Sequence, residues 1–255
     1  MKVTHVRRAV LLAAGVALGI GAASARAETV DEIVKRHIEA RGGREKLQAL
    51  FSVRMTGSIA FASGQPAPFV LLMRRPNKMR TEFVFQGMTG VQAFDGERAW
   101  AVLPMAGKTE PEYLPPEASR EAAEQADIEG PLVDFAAKGH KIVLLGHEKV
   151  AGRDSVKLEV TLKSGAVRYV YLDAATFLEV KGEGRRRAEG DEVMLETYYR
   201  DYRDVDGLKL PFVIEAGPAK RPERQKIVLD RIETNVLLRG TDFEMPSARR
   251  PRERQ

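Results

Sequence analysis

The sequence has no cysteine in 255 residues. That absence excludes a disulfide framework, a thiol nucleophile and a lipid-modified cysteine, so stability has to come from an ordinary apolar core. Histidine is scarce too, with four in the chain. No H-E-x-x-H, G-x-S-x-G or phosphate-binding glycine loop occurs. Asp201, Asp204 and Asp206 do not fit a calcium loop, because the EF-hand spacing would put Tyr202 at the first ligand position and Val213 at the twelfth. No metal, cofactor or catalytic residue is expected. Carboxylates are numerous, but nothing selects an acid/base pair among them, and an unrecognised hydrolase ranks third among the functional readings.

Long apolar runs are also missing after residue 25. The one such run, residues 9–25, follows a basic segment at 1–8 and ends in Ala25-Arg26-Ala27. This is the pattern of a secretory signal peptide with an A-x-A cleavage site. Its 17 residues fall short of the roughly 20 needed to span a bilayer. Cleavage after Ala27 and a periplasmic location are expected. Taking Lys2, Arg7, Arg8 and Arg26 from the 41 basic residues leaves 37 against 36 acidic ones. The formal charge of +5 therefore belongs mostly to the leader, and no nucleic-acid partner is expected. Residues 28–246 read as one domain, expected to be a monomer, and residues 247–255 as a basic disordered tail.

What is present reads as a mainly β chain. Thr29 and Glu32 form a capping box, Val30, Ile33, Val34, His37 and Ile38 share a helical face, and Gly42-Gly43 stops the helix. His37 is expected to be structural. A short second helix is expected at about 44–50. Strand patterns then cover 52–60, 67–74, 78–85, 88–95 and 98–103, with Asp95-Gly96 as a two-residue hairpin turn that sets Val91, Ala93, Trp100 and Val102 on one face. Residues 104–116 are broken by proline, a polar helix is expected at 117–126, and an amphipathic one at 131–138 opens on Pro131. Further strands are expected at 141–150, 155–162, 167–172, 178–183, 192–203, 208–216 and 225–235. Residues 182–191 read as a solvated loop, and Asp206-Gly207 as a tight hairpin. The expected fold is α+β, mainly β: about 11 antiparallel strands in a sheet too long to stay flat, with short helices over its concave face.

Apolar residues alternate with polar ones at Phe69, Leu71 and Met73, at Met79, Phe83 and Phe85, and at Leu158, Val160 and Leu162. Alternation means one covered face. The helices are too few to cover so large a sheet, so part of that face is expected to be left for a ligand. Phe69, Leu71, Met73, Phe83, Phe85 and Trp100 are the candidate lining. Leu132 and Phe135, three residues apart on the expected helix, are the candidate lid.

Several segments resemble the LolA-like family of periplasmic outer-membrane lipoprotein-sorting proteins. They are Gly42-Gly43-Arg44-Glu45-Lys46-Leu47, Phe94-Asp95-Gly96-Glu97-Arg98-Ala99-Trp100, Leu158 to Gly165 with Tyr169 to Leu178, and Asp201-Tyr202-Arg203 with Asp206 to Phe212. The resemblance covers most of residues 29–246. It implies a curved half-barrel with helices over its mouth, whose hollow receives acyl chains of lipoproteins or free lipids, with a membrane-bound donor or acceptor as partner. The second reading is a periplasmic sensor or regulatory module that recognises mislocalised lipoproteins or lipids.

Overall fold

The computed structural model describes residues 28–61, 64–188 and 191–246. The expected signal peptide and basic tail lie outside the described residues. Helix α1 (Val30–Ala40) starts at the capping box, with Thr29 accepting from the Glu32 amide and Glu32 reaching back to Thr29. It buries Ile33, Val34, His37 and Ile38. Its end is fixed by close approach: a Cβ on Gly42, whose φ is +117°, would lie 2.2 Å from the Gly207 carbonyl oxygen. Helix α2 (Arg44–Ala49) follows directly.

Six strands then run outward as a meander: β1 (Ser52–Phe61), β2 (Ala67–Arg74), β3 (Lys78–Phe85), β4 (Met88–Phe94), β5 (Ala99–Leu103) and β6 (Lys108–Tyr113). Helix α3 (Pro116–Gln125) and a run of turns carry the chain to the far side of the molecule. From there β7 (Lys141–Val150), β8 (Arg153–Thr161), β9 (Val167–Asp173), β10 (Glu179–Ala188), β11 (Asp191–Val205), β12 (Leu208–Pro218) and β13 (Gln225–Thr234) come back to the middle. The resulting antiparallel sheet has 13 strands in the order β6-β5-β4-β3-β2-β1-β13-β12-β11-β10-β9-β8-β7. It is not closed, so β6 and β7 are its edges. The first and last strands meet at its centre, where a bulge falls between Thr56 and Gly57. Only glycine fits there, since a Cβ on Gly57 would stand 2.1 Å from the Val228 carbonyl oxygen.

Four expectations are corrected. There are 13 strands and not about 11: Lys108–Tyr113 forms an edge strand despite Pro111, a place where a missing N–H costs nothing. Residues 182–188 extend β10 and are no loop. The connection after Phe94 spans four residues, because Phe94 pairs with Ala99 and the Asp95 carboxylate accepts from the amides of Glu97 and Arg98, both at 2.8 Å. A register change of two keeps every side chain on its face, so the shared face of Ala93 and Trp100 survives. Residues 131–138 form turns, not a helix, with left-handed backbone at Gly130, Asp134 and Gly139. The Asp206-Gly207 hairpin is as expected, with φ of 53° and 78° joining Val205 to Leu208.

The core lies on one side of the sheet, around α1. Val34 and Ile38 join Leu47, Leu50, Val53, Ile59, Phe69, Leu208, Leu210, Phe212 and Leu229 in one cluster. Ile33 joins Leu132, Val156, Leu158, Val160, Leu172 and Phe177 in a second. Each fully buried side chain of this kind contributes about 1.5–3 kcal/mol. The helix thus plugs the concave face and binds both halves of the sheet to each other.

Candidate functional site

The concave face can be followed strand by strand from the pairing. Met55 stands opposite Leu71, Leu71 opposite Thr81, and Phe69 opposite Phe83. Across the centre, Ile59 faces Ile227, Ile227 faces Ile214, and Ile214 faces Tyr199. Farther on, Thr197 faces Gly182, Gly182 faces Val170, and Val170 faces Leu158. Where α1 sits, this surface is sealed: Leu158, Val160 and Leu172 are at 0 % exposure. Beyond it Met55, Phe61, Leu71, Phe83 and Phe85 remain half-buried. Phe61 lies between the two β3 rings, with centroids 5.8 Å from Phe83 and 5.2 Å from Phe85. The result is a half-buried aromatic and aliphatic wall, of which Met55, Phe61, Leu71 and Phe83 pack at the edge of the cluster around Val34 and Leu47; the concave side before it is the trough.

Helix α3 lies on the same side. Its Ala122, Ala123 and the following Ala126 pack on Phe94, Ala99 and Met79 of the β3–β5 flank. On its other side Glu124 reaches Arg168 of β9 at 2.7 Å and Ser164 at 2.6 Å, while Glu121 meets Arg186 of β10 at 2.8 Å. The helix therefore spans the trough from one flank to the other. It is greased on one side and ion-paired on the other.

The turns after α3 are tied down by Glu129, which is 5 % exposed. Its carboxylate meets Arg75 at 2.5 Å and Lys138 at 3.5 Å, and its carbonyl accepts from Arg41 at 2.5 Å. Asp134 is held by Arg44 and Gln48. Leu132 and Val133 are core residues at 2 % and 0 % exposure.

The expected site residues divide accordingly. Phe69, Leu71, Met73, Phe83 and Phe85 share the concave face, with Phe69 and Met73 buried and the other three half-buried. Trp100 does not belong with them. It pairs with Ala93, which pairs with Arg80, and so faces the convex side. There its indole N–H donates to the Phe243 carbonyl at 2.8 Å, beneath the fully buried Phe243. Leu132 and Phe135 are not a paired lid: Leu132 packs with Ile33 and Leu158, whereas Phe135 rests against the cluster around Val34 and Leu47. Met55 and Phe61 belong to the wall as well: Val53, Met55, Ile59 and Phe61 alternate with Arg54, Thr56 and Ser58 along β1, a signal that Gly57 interrupts, while nothing in the sequence marked α3 as the bridging element.

Polar groups also enter the hollow. His37 is buried and places Nδ1 2.8 Å from the Phe177 carbonyl oxygen. Burial, with the charge of Arg41 adding to it, lowers its pKa to about 4, so it is a neutral clasp between α1 and the loop before β10. Glu179, opposite Leu172, is half-buried; desolvation raises its pKa to about 7 against the pull of Arg41. Tyr199 and Tyr202 lie beside it, and burial raises both phenols.

On the convex side a groove of about 840 Å³ runs under the C-terminal segment, lined by Arg54, Arg80, Glu82, Arg239, Asp242 and Glu244 among others. Its charged lining does not suit an apolar ligand. Among the described residues no group of three or more His, Asp or Glu is placed to hold a metal ion, and no helix is long and apolar enough to cross a membrane.

An open antiparallel sheet wrapped on a helix, its ends joined by a mid-chain helical crossing, defines a LolA-like fold. Solved structures that share it include a DUF1329 family protein from Desulfovibrio piger, 12% identical, with a TM-score of 0.57 over 84% of this chain and 97% of that one. A LolA superfamily protein from Nitrosomonas europaea is 17% identical, with a TM-score of 0.55 over 85% of this chain and 97% of its own. A domain named for outer membrane lipoprotein sorting, from Vibrio parahaemolyticus, is 16% identical, with a TM-score of 0.54 over 84% and 97%. No protein-family model matches the sequence, and no curated protein does.

Proposed function

We propose that the protein is a periplasmic carrier that takes acyl chains of lipoproteins or free lipids into the trough and shuttles them toward the outer membrane. The observation that carries this reading is the half-buried aromatic and aliphatic wall of Met55, Phe61, Leu71, Phe83 and Phe85, on a fold shared with lipoprotein-sorting proteins. Each CH₂ drawn from water onto such a wall contributes about 0.8 kcal/mol, so a chain of ordinary length binds without any catalytic group. Helix α3 serves as the cover: its alanine side slides on apolar contacts, and its glutamates hold it shut against β9 and β10. Export through the expected leader supplies the compartment.

Native mass spectrometry of the protein purified from a periplasmic extract is expected to show lipid adducts, and a fluorescent fatty acid is expected to be displaced by unlabelled lipid. A bare mass together with no fluorescent uptake would overturn the reading.

A further inference from the structure

We propose that the groove on the convex side binds a small organic anion, a carboxylate or phosphate on a short apolar body, with the Arg54 guanidinium as its charge partner. The site lies on the opposite face of the sheet from the trough and does not depend on the acyl-binding reading. Its floor is set by the strand register. Arg54 of β1 stands opposite Leu72 of β2, and Leu72 opposite Arg80 of β3, so two arginines flank one leucine. The segment after β13 forms the facing wall, with Leu237, Arg239 and Met245 lining the same space of about 840 Å³, a volume in the range of small-molecule sites.

The charges in this groove do not all cancel. Arg80 is held by Glu82 at 2.7 Å and donates to the Asp242 carbonyl oxygen at 3.3 Å, while Arg239 reaches the Asp242 carboxylate at 3.3 Å. Arg54 has no such partner among the described residues. The carboxylate opposite it, Glu233 of β13, is taken by Arg231 at 2.9 Å. A second uncompensated cation stands beside the groove. Arg74 makes no ion pair among the described residues, and its Nε is buried without a hydrogen-bond partner. Its Nη1 would lie 3.9 Å from a Cβ on Gly240, between the lining residues Arg239 and Thr241. A guanidinium offers five N–H donors in a planar fork that fits the oxygens of a carboxylate or phosphate. The lining carboxylate of Glu244 has no partner among the described residues, but it is exposed and screened by water and salt.

The apolar part of the ligand has its own place. Leu237 is 93 % exposed at the lip of the groove, and Leu72 is half-buried on its floor. An apolar group laid between them withdraws both from water. An inorganic anion gains nothing from these leucines, and a neutral apolar molecule gains nothing from Arg54.

The test is calorimetric titration of the full chain with hydrocinnamate, phenyl phosphate, the uncharged hydrocinnamide and inorganic phosphate, with NMR methyl shifts of Leu72 and Leu237 locating the site. At least one aromatic anion is expected to bind about tenfold more tightly than the amide, the value of one charge-assisted hydrogen bond, and to shift both methyl signals. Whichever anion binds more tightly identifies the charged group, and inorganic phosphate is expected to bind more weakly than phenyl phosphate. Arg54→Gln is expected to abolish the preference for the anion without lowering the melting temperature, because Arg54 has no ion pair to lose. Arg54→Lys, which keeps the charge and loses the fork, is expected to fall between the two and serves if Arg54→Gln does not fold. Glu244→Gln is expected to tighten anion binding, and none of these variants should change uptake of a fluorescent fatty acid by the trough. Equal binding of anion and amide, inorganic phosphate binding as tightly as phenyl phosphate, an anion preference that survives Arg54→Gln, or methyl shifts confined to other residues would overturn the site and leave the acyl-binding reading standing.

Discussion

Two regions of one concave face carry the same kind of sequence and end in different physical states. Val156, Leu158 and Val160 on β8 alternate as regularly as Phe69, Leu71 and Met73 on β2. The β8 side is sealed by α1 and Leu132, with Leu158 and Val160 at 0 % exposure. The wall of β1, β2 and β3 keeps Met55, Phe61, Leu71, Phe83 and Phe85 only half-covered. The difference follows the helices: α1 seals the β8–β9 flank, whereas α3 only bridges the flanks, and the half-covered part of the face is the proposed site.

That comparison is most severely tested by truncation on the sealed side. Leu158→Ala is expected to cost about 3 kcal/mol of stability, as large-to-small core changes do, and to leave acyl binding per folded molecule unchanged. Urea unfolding and probe binding on one sample check this. Lost binding at full stability would merge the two regions.

A second test concerns the clasp that holds α1 over the sealed side. His37 titrates near 4 in the fold against about 6.5 unfolded. The unfolded chain therefore binds the extra proton between these values, and stability falls as pH drops from about 6.5 toward 4, by about 3 kcal/mol in full. Glu179 acts in the opposite sense: raised to about 7, it favours the fold at low pH and loses that contribution as pH rises from its unfolded value through 7. The two offset each other between about 4.5 and 6.5. In Glu179→Gln the acid-side loss should stand alone, and urea midpoints from pH 4.5 to 7.5 would show it. A flat profile in that variant would mean that His37 is not held neutral.

The smallest expected effect is at the cover. Glu124→Gln removes the pair to Arg168, which as a partly exposed bridge contributes at most about 1 kcal/mol. Melting should barely move, while stopped-flow release of a fluorescent lipid should speed up several-fold, and added salt should speed the unmodified protein in the same direction. Release independent of both would remove α3 from the gating role.

Much of this was legible in sequence because the signals were local. The Thr29–Glu32 box, the buried stripe of α1 and the Asp206-Gly207 turn all depend on residues a few places apart. The misses have physical causes. Lys108–Tyr113 has no apolar alternation because an edge strand needs none, and residues 182–188 hide a strand because Glu183 and its neighbour Lys181 are ion-paired on the convex face, Lys181 to Glu183 at 2.5 Å and to Glu196 at 2.9 Å. Residues 131–138 carry helix-like spacing, yet left-handed backbone at Asp134 breaks the helix. Alternation placed Trp100 with Ala93 correctly but could not say which face points inward; that depends on Phe243, 143 residues away.

The central claim is that the half-buried β1–β3 wall, which packs at the edge of the cluster around Val34 and Leu47, binds acyl chains on its uncovered side. Phe83→Glu addresses it most directly, because it puts a charge on the half-buried wall and touches no sealed residue of β8 or β9. The measurement is a fluorescent-lipid binding isotherm with a thermal melt on the same sample. The expected result is at least about a tenfold loss of affinity, from burying a carboxylate against the acyl chain, with a melting temperature within a few degrees of the unmodified protein. Unchanged affinity, or a loss of binding that only follows a collapse of the fold, would contradict the account.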